Sequence, residues 1–342
     1  MSDQSLAAVV TKQRTQIALS SLRQEGVYDE GRHITEHDDG TVAIPVTDPP
    51  AQTDVLEVVR TTGETRLRTL EDHLRQRGWT DGELDAVPGS WAVIGSVILV
   101  DTSDTPRPAE VGDALLAMHG HADTVLSRDG IAGVHREPSV EVIAGEGDTH
   151  TVHREHGTTY ALDLSEVMFS PGNKAERAHM GETVDDGERV LDMFAGVGYF
   201  TLPMARGGAH VTAIEHNPTA FQYLVENVVR NGVQDSVETY RADCRDVVAR
   251  GVEAADPFSF ERVVMGYYDA YEYLDSALSA LESDGTVHMH EATPEAELPD
   301  RPVDRLHAAA ERNGRRVSDC EVREIKGYSE GVTHVVVDAT VR

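Results

Sequence analysis

Val190-Leu-Asp-Met-Phe-Ala-Gly-Val-Gly-Tyr-Phe200 is the stretch that decides the fold. Arg189-Val-Leu-Asp-Met-Phe194 reads as a strand. Gly196-x-Gly198 follows, and Phe200 to Arg206 read as a helix. A strand that turns through glycines into a helix is the unit that lets backbone approach a ligand at the edge of a parallel sheet. Alone, the two glycines fit an ordinary tight turn equally well. The downstream text sharpens the reading. His210–Glu215, Val237–Ala242, Arg262–Tyr267 and Gly285–His290 read as strands. Pro218–Asn231, with Phe221, Leu224, Val225 and Val228 on one face, reads as a helix, as do Glu272–Leu281 and Val303–Asn313. Ser318–Ile325 and Thr333–Val341 read as a closing antiparallel hairpin. Strands alternating with helices predict an α/β, doubly wound parallel sheet from about Ser165 onward.

Upstream the grammar differs. Ser5 to about Glu25 carries Leu6, Val9, Val10, Ile17 and Leu22 at helical spacing, and Gly26 follows as a stop. Thr41–Val46 reads as a strand, and Asp48-Pro-Pro marks a boundary. Residues 51–163 mix a β-prone run broken by Gly95, a helix near Glu110–His119, and short strands at Asp123–Ser127, Ser139–Ala144 and His150–Arg154. This predicts three parts: a small segment 1–50, an α+β module 51–164 and a ligand-binding domain 165–342.

The chain has 342 residues, of which 39% are hydrophobic, enough for packed cores. Sixty acids against 30 bases give a net charge of −30, and the only lysines are Lys12, Lys174 and Lys326. The acids are spread along the whole chain, which predicts a salt-adapted surface of a halophile rather than an acidic tail. In concentrated salt the Debye length falls to about 3 Å, so net charge says little about partners. No apolar run approaches the roughly 18 residues of a membrane span, and the first 30 residues lack a basic-then-apolar leader, so a cytoplasmic location is expected. Two cysteines, Cys244 and Cys320, exclude a disulfide framework or a multi-cysteine zinc site.

Acids at strand tips define the candidate ligand site. Asp192 lies four residues before Gly196, and Glu215 ends the next strand nineteen residues after it. An acid there can accept both ribose hydroxyls of an adenosine-containing cofactor. The third glycine of the dinucleotide fingerprint and the P-loop lysine are both absent, which favours S-adenosylmethionine (SAM) over NAD or ATP. Asp243, at the tip of the third strand, is placed to take the adenine amino group, with Cys244 flanking the ring. The same Asp243 also suits a helix cap. His288 and His290 alternate along one strand face; without a third ligand they read as strand-end histidines beside a pocket, and no metal is expected.

Asp-Met-Phe-Ala-Gly-Val-Gly-Tyr-Phe, Glu215-His-Asn-Pro218, Asn227-x-x-x-Asn231 and Gly-Thr-Val-His-Met-His resemble the class I transferases that modify purine 37 of tRNA. The resemblance covers about Val134 to the end well, and the first 130 residues loosely. It implies a Rossmann-like class I SAM-dependent transferase sheet with a separate N-terminal α+β region, and the anticodon loop of tRNA as partner. Two branches share this frame. One methylates N1 of guanine. The other moves the 3-amino-3-carboxypropyl group of SAM to C7 of 4-demethylwyosine, releasing methylthioadenosine. The methyltransferase branch carries Asn-Leu-Pro where this chain has Met265-Gly266-Tyr267-Tyr268-Asp269. Phe169-Ser-Pro-Gly-Asn-Lys-Ala-Glu-Arg177 is similar to the aminocarboxypropyl branch, which implies SAM contacts for Ser170 and Arg177. A guanidinium can hold a carboxylate by a two-pronged bond. Without the resemblance, Ser170 reads as a helix cap and Arg177 as a solvated helix residue.

The aminocarboxypropyl reading leads. The N1-methyltransferase, a non-catalytic SAM- or RNA-binding module and a small-molecule methyltransferase are the alternatives. No residue reads as a general base; the catalytic residues stay unassigned. Arg66, Arg68, Arg75 and Arg77 form a basic cluster in module 51–164, read either as a tRNA contact or as a solvated face.

Overall fold

The computed structural model describes residues 5–62, 65–132, 137–255 and 257–342. The chain divides into two compact units, Met1–Ala86 and Val87–Arg342.

In the second unit one sheet contains β1 (Arg189–Asp192), β2 (His210–Glu215), β3 (Val237–Arg241), β4 (Phe260–Met265), β5 (Leu281–Pro294), β6 (Val317–Ser329) and β7 (Val332–Val341), in the order β3-β2-β1-β4-β5-β7-β6. β1 to β5 run parallel, while β7 pairs antiparallel with both β5 and β6. Leu191 of β1 stands between Thr212 of β2 and Val263 of β4. The chain winds outward from β1 in one direction and then returns to its other side, so the crevice of a doubly wound sheet opens at the tips of β1, β2 and β4. The predicted α/β sheet and its closing hairpin are both present.

The central strands β1, β2 and β4 are buried on both faces, as parallel strands require. Val190, Val211 and Val264 pack with Met180, Leu202 and Leu224 of the helices on one face. Leu191, Ile214 and Met265 pack with Val248, Leu278 and Leu306 on the other. The helix Pro218–Arg230 starts at Asn217, whose side chain accepts from the Thr219 N–H at 2.8 Å, with proline in the first turn.

Residues 87–164 are not a separate body. Strands Trp91–Ile94, Val97–Val100, Thr124–Ala132 and Glu137–Gly145 form one sheet, and His150–Glu155 pairs with Thr158–Asp163. Ile94, Val97 and Leu126 share a core with Tyr160, Leu162 and Met204. The expected boundary at 164 therefore crosses continuous packing.

The first unit corrects two expectations. Ser5–Thr11 is a strand, and the helix begins only at Thr15 and ends at Gly26, whose φ is +77°. Leu6 to Val10 are apolar at every position, so helical spacing and a fully buried strand fit them equally, and pairing with Thr41–Val46 and Glu57–Thr61 on either side decides for the strand. The expected boundary near residue 50 falls inside a sheet, because Glu57–Thr61 pairs with Ser5–Thr11. Among the described residues, no helix is long and apolar enough to cross a membrane.

Candidate active site

A cavity of about 360 Å³ opens at the carboxyl ends of β1, β2 and β4. Gly196 lines it with a φ of +57°, and a Cβ there would collide with the Tyr199 ring. A side chain is thus excluded twice, by backbone conformation and by space. Glu215 closes the turn from the next strand. Its Oε2 accepts the Gly196 N–H at 2.7 Å, and its Oε1 accepts the Asn217 N–H at 2.6 Å. Burial pushes this carboxyl above its usual range, and the two N–H groups restrain the rise. Each oxygen keeps a lone pair for a ligand hydroxyl.

Asp243 and Cys244 form part of the cavity wall at the tip of β3. Asp243 does cap the helix Cys244–Val252, accepting the Arg245 N–H at 2.9 Å, and the Arg245 guanidinium pairs with it at 2.5 Å. That pairing holds its carboxyl below the usual range. Capping and wall duties coincide, since the helix starts where the strand meets the cavity. Burial pushes the Cys244 thiol up to about 12, so it is a neutral wall group and no nucleophile. Phe194, Tyr267 and Tyr273 add an aromatic cluster, with the Tyr267 and Tyr273 ring centroids 5.3 and 5.0 Å from that of Phe194.

Asp192 departs from expectation. Its carboxylate is not part of the cavity lining. It is fully buried under the loop, taking the Thr201 hydroxyl at 2.7 Å and the Phe194 N–H at 3.3 Å. Burial drives this carboxyl up to about 6 against those two bonds. Its bonds to Thr201 and to the Phe194 N–H make it a brace for the glycine turn.

Ser170 and Arg177 both line the cavity. The Ser170 side chain caps nothing; its Oγ accepts from Lys326 Nζ at 2.6 Å. Arg177 is buried at 2% exposure, not solvated. Its two-pronged bond, however, goes to Glu155, through Nε at 2.7 Å and Nη2 at 2.9 Å. Its Nη1 donates to the Ser170 carbonyl at 2.9 Å. Burial works against ionised Glu155, yet bonds from His153 and Arg177 hold it down to about 2. The fork is therefore spent on the protein, and it shapes the Ser170 turn.

Of the two strand histidines, only His290 reaches the cavity. His288 is locked between Asp338 at 2.6 Å and Arg262 at 2.5 Å. Sequence reasoning missed Glu155, His334 and Lys326. Lys326 carried a signal, as one of three lysines in an arginine-rich chain. Glu155 and His334 carried none, because their partners lie 22 and 44 residues away. Among the described residues, no group of three or more His, Cys, Asp or Glu gathers as a metal site.

Residues 151–318 match the TRM5/TYW2 methyltransferase domain, and residues 70–149 match the TYW2 N-terminal domain. A relative from Methanocaldococcus jannaschii, named tRNA(Phe) (4-demethylwyosine(37)-C(7)) aminocarboxypropyltransferase, is 42% identical over 61% of this chain and 82% of its own. The chain belongs to the TRM5/TYW2 family. TYW2 of Pyrococcus horikoshii in complex with MeSAdo superposes with a TM-score of 0.67 at 32% identity, covering 78% of this chain and 96% of that one. Trm5b from Pyrococcus abyssi superposes with a TM-score of 0.75 at 28% identity, covering 98% of this chain and 99% of that one. The TRM5/TYW2 frame thus spans the tRNA methyltransferase and the aminocarboxypropyltransferase branches, as the sequence resemblance implied.

Proposed function

We propose that this chain transfers the 3-amino-3-carboxypropyl group of SAM to C7 of 4-demethylwyosine at position 37 of tRNA, releasing methylthioadenosine. The observation that carries this reading is the 42% identity to a relative named for that reaction, across 82% of its length. The Trm5b likeness is lower in identity, at 28%, and its higher TM-score reflects the shared frame.

SAM supplies a sulfonium that activates its methyl, ribose C5′ and Cγ carbons alike. What the protein contributes is aim, since the group transferred is the one held in line with the acceptor. Glu215 takes the ribose hydroxyls, Gly196 gives the ribose room, and Asp243 with Cys244 flanks the adenine. Ser170, whose Oγ accepts from Lys326 Nζ at 2.6 Å, receives the amino acid arm. Arg177, oriented by Glu155, donates one Nη1 hydrogen to the Ser170 carbonyl and keeps the other for the carboxylate of the arm. Asp192 supports the cofactor site through the glycine turn, holding the Thr201 hydroxyl and the Phe194 N–H. Tyr267 and Tyr268, at the end of β4, stack with the tRNA base. The C7 carbon attacks Cγ, the carbon–sulfur bond breaks, and C7 loses its proton.

For the anticodon loop we assign recognition to the stretch 51–164. Arg66, Arg68, Arg75 and Arg77 are exposed there, although Arg68 already pairs with Glu30 at 3.2 Å. The enzyme is assigned to the cytoplasm of a halophile, with neither membrane nor metal as a partner. The test is a turnover with precursor tRNA and SAM labelled either in the carboxyl carbon or in the methyl. Carboxyl label in the tRNA supports the reading. Methyl label, with S-adenosylhomocysteine released, overturns it.

A further inference from the structure

β5 and β7 bring His290 and His334 together on the cavity wall. In the ladder His290 stands opposite Val336 and His334 opposite Ala292, so the two are diagonal neighbours. Their rings are buried, at 2% and 0% exposure, and His290 Nδ1 lies 2.9 Å from His334 Nε2. The two outer nitrogens, His290 Nε2 and His334 Nδ1, are buried without a hydrogen-bond partner among the described residues. Orphaned buried nitrogens are costly, and a pair of them on a cavity wall points to a ligand.

One shared hydrogen bond constrains the pair's chemistry. In a neutral pair, the donor ring keeps its outer nitrogen as a lone pair, and the acceptor ring carries a proton on its outer nitrogen. A proton taken up at one end shifts the shared proton and frees another at the far end. The pair is then neutral again and ready to act.

We propose that the His290–His334 pair accepts the C7 proton of the tRNA base and relays it out of the cavity. This rests on the transfer reaction assigned above. C7 bonds to Cγ, the electrons of the carbon–sulfur bond stay on sulfur, and methylthioadenosine leaves neutral. The purine is left with the positive charge and a tetrahedral C7–H. The electrons of that C–H bond return to the ring, and the proton goes to the open imidazole lone pair. Because the adduct is cationic, a weak neutral base is sufficient.

The surroundings fit this task. The Phe200 ring lies 5.2 Å from His290 and the Tyr268 ring 4.8 Å from His334, covering the pair with apolar edges. Burial, then the neighbouring His288, Arg323 and Lys326 charges, lowers His290 to about 3 against the pull of Asp338. Burial, His290 and Lys326 lower His334 to about 3 against Glu176. Both rings are thereby neutral at working pH. Other groups on this wall are committed: Glu215 to the glycine turn, Asp243 to Arg245, and Cys244 as a protonated thiol.

The experiment is single turnover with tRNA carrying 4-demethylwyosine, with hydrogen or deuterium at C7, for the unmutated chain and for His290→Asn and His334→Gln. Melting temperature and SAM affinity are measured on each. Slowing of about 100-fold, a primary isotope effect absent from the unmutated chain, and unchanged SAM affinity are expected. Variants within threefold of the unmutated rate and without an isotope effect overturn the proposal. Should either variant fail to fold, nitrogen-15 spectra of the unmutated protein decide: neutral rings sharing one proton support the relay, and an imidazolium at pH 7 overturns it. Release of S-adenosylhomocysteine by the unmutated chain instead overturns the underlying reaction, and the C7 proton transfer with it.

Discussion

Asp192 and Glu215 sit at the ends of adjacent strands, and burial drives both carboxyls above their usual range. Their tasks differ because only one reaches the cavity. Glu215→Gln should weaken SAM binding about 10- to 100-fold, since hydrogen bonds to a charged acceptor contribute ~1.5–3 kcal/mol. Titration calorimetry checks this, and an unchanged affinity would remove Glu215 from the ribose site. Asp192 acts on stability instead. Its carboxyl is at about 6 in the fold against an ordinary 3.8. A raised acid favours the fold below 3.8 and loses that contribution as pH rises through about 6. Asp192→Asn keeps an acceptor for Thr201 and cannot ionise. The stability of this variant should therefore fall less than that of the unmutated chain between pH 4 and 6.5, read from urea midpoints. Parallel curves would mean that Asp192 does not carry this titration.

At the scale of elements, the glycine turn is held by parts that are remote in sequence. Asn227, fully buried on the helix Pro218–Arg230, accepts the Ala161 N–H at 2.7 Å and donates to the carbonyls of Ala161 and Val197 at 3.0 and 2.9 Å. One amide thus ties the strand Thr158–Asp163 to the turn between Gly196 and Gly198. Asn227→Ala leaves three buried backbone groups unpaired and should cost about 3 kcal/mol. Denaturant unfolding measures it; a loss within experimental scatter would show that water substitutes for the amide. Asn231 repeats the device one turn later, accepting the Thr159 N–H at 2.9 Å. The Asn227-x-x-x-Asn231 spacing was visible in the sequence, because four residues place both side chains on one helix face. What they hold was not visible, since the hairpin lies about 70 residues upstream.

For the whole molecule, charge sets the conditions of stability. A net charge of −30 repels itself in dilute buffer, and salt screens that repulsion. Raising KCl from 0.1 to 2 M should lift the melting temperature by about 5–10 °C, or ~2–3 kcal/mol at the midpoint. A flat profile in differential scanning fluorimetry would dismiss self-repulsion as a destabilising force. Composition alone makes this legible. Local order also determined the strand, the glycine turn and the acids at strand tips, because each is dictated within a few residues by backbone sterics and periodicity. Tertiary structure decided the rest. It turned Ser5–Thr11 into a strand by supplying partners on both sides. It gave the fork of Arg177 to Glu155, set Lys326 on Ser170 and paired His290 with His334. Each of these depends on which distant segments meet, and periodicity along a chain carries no information about that.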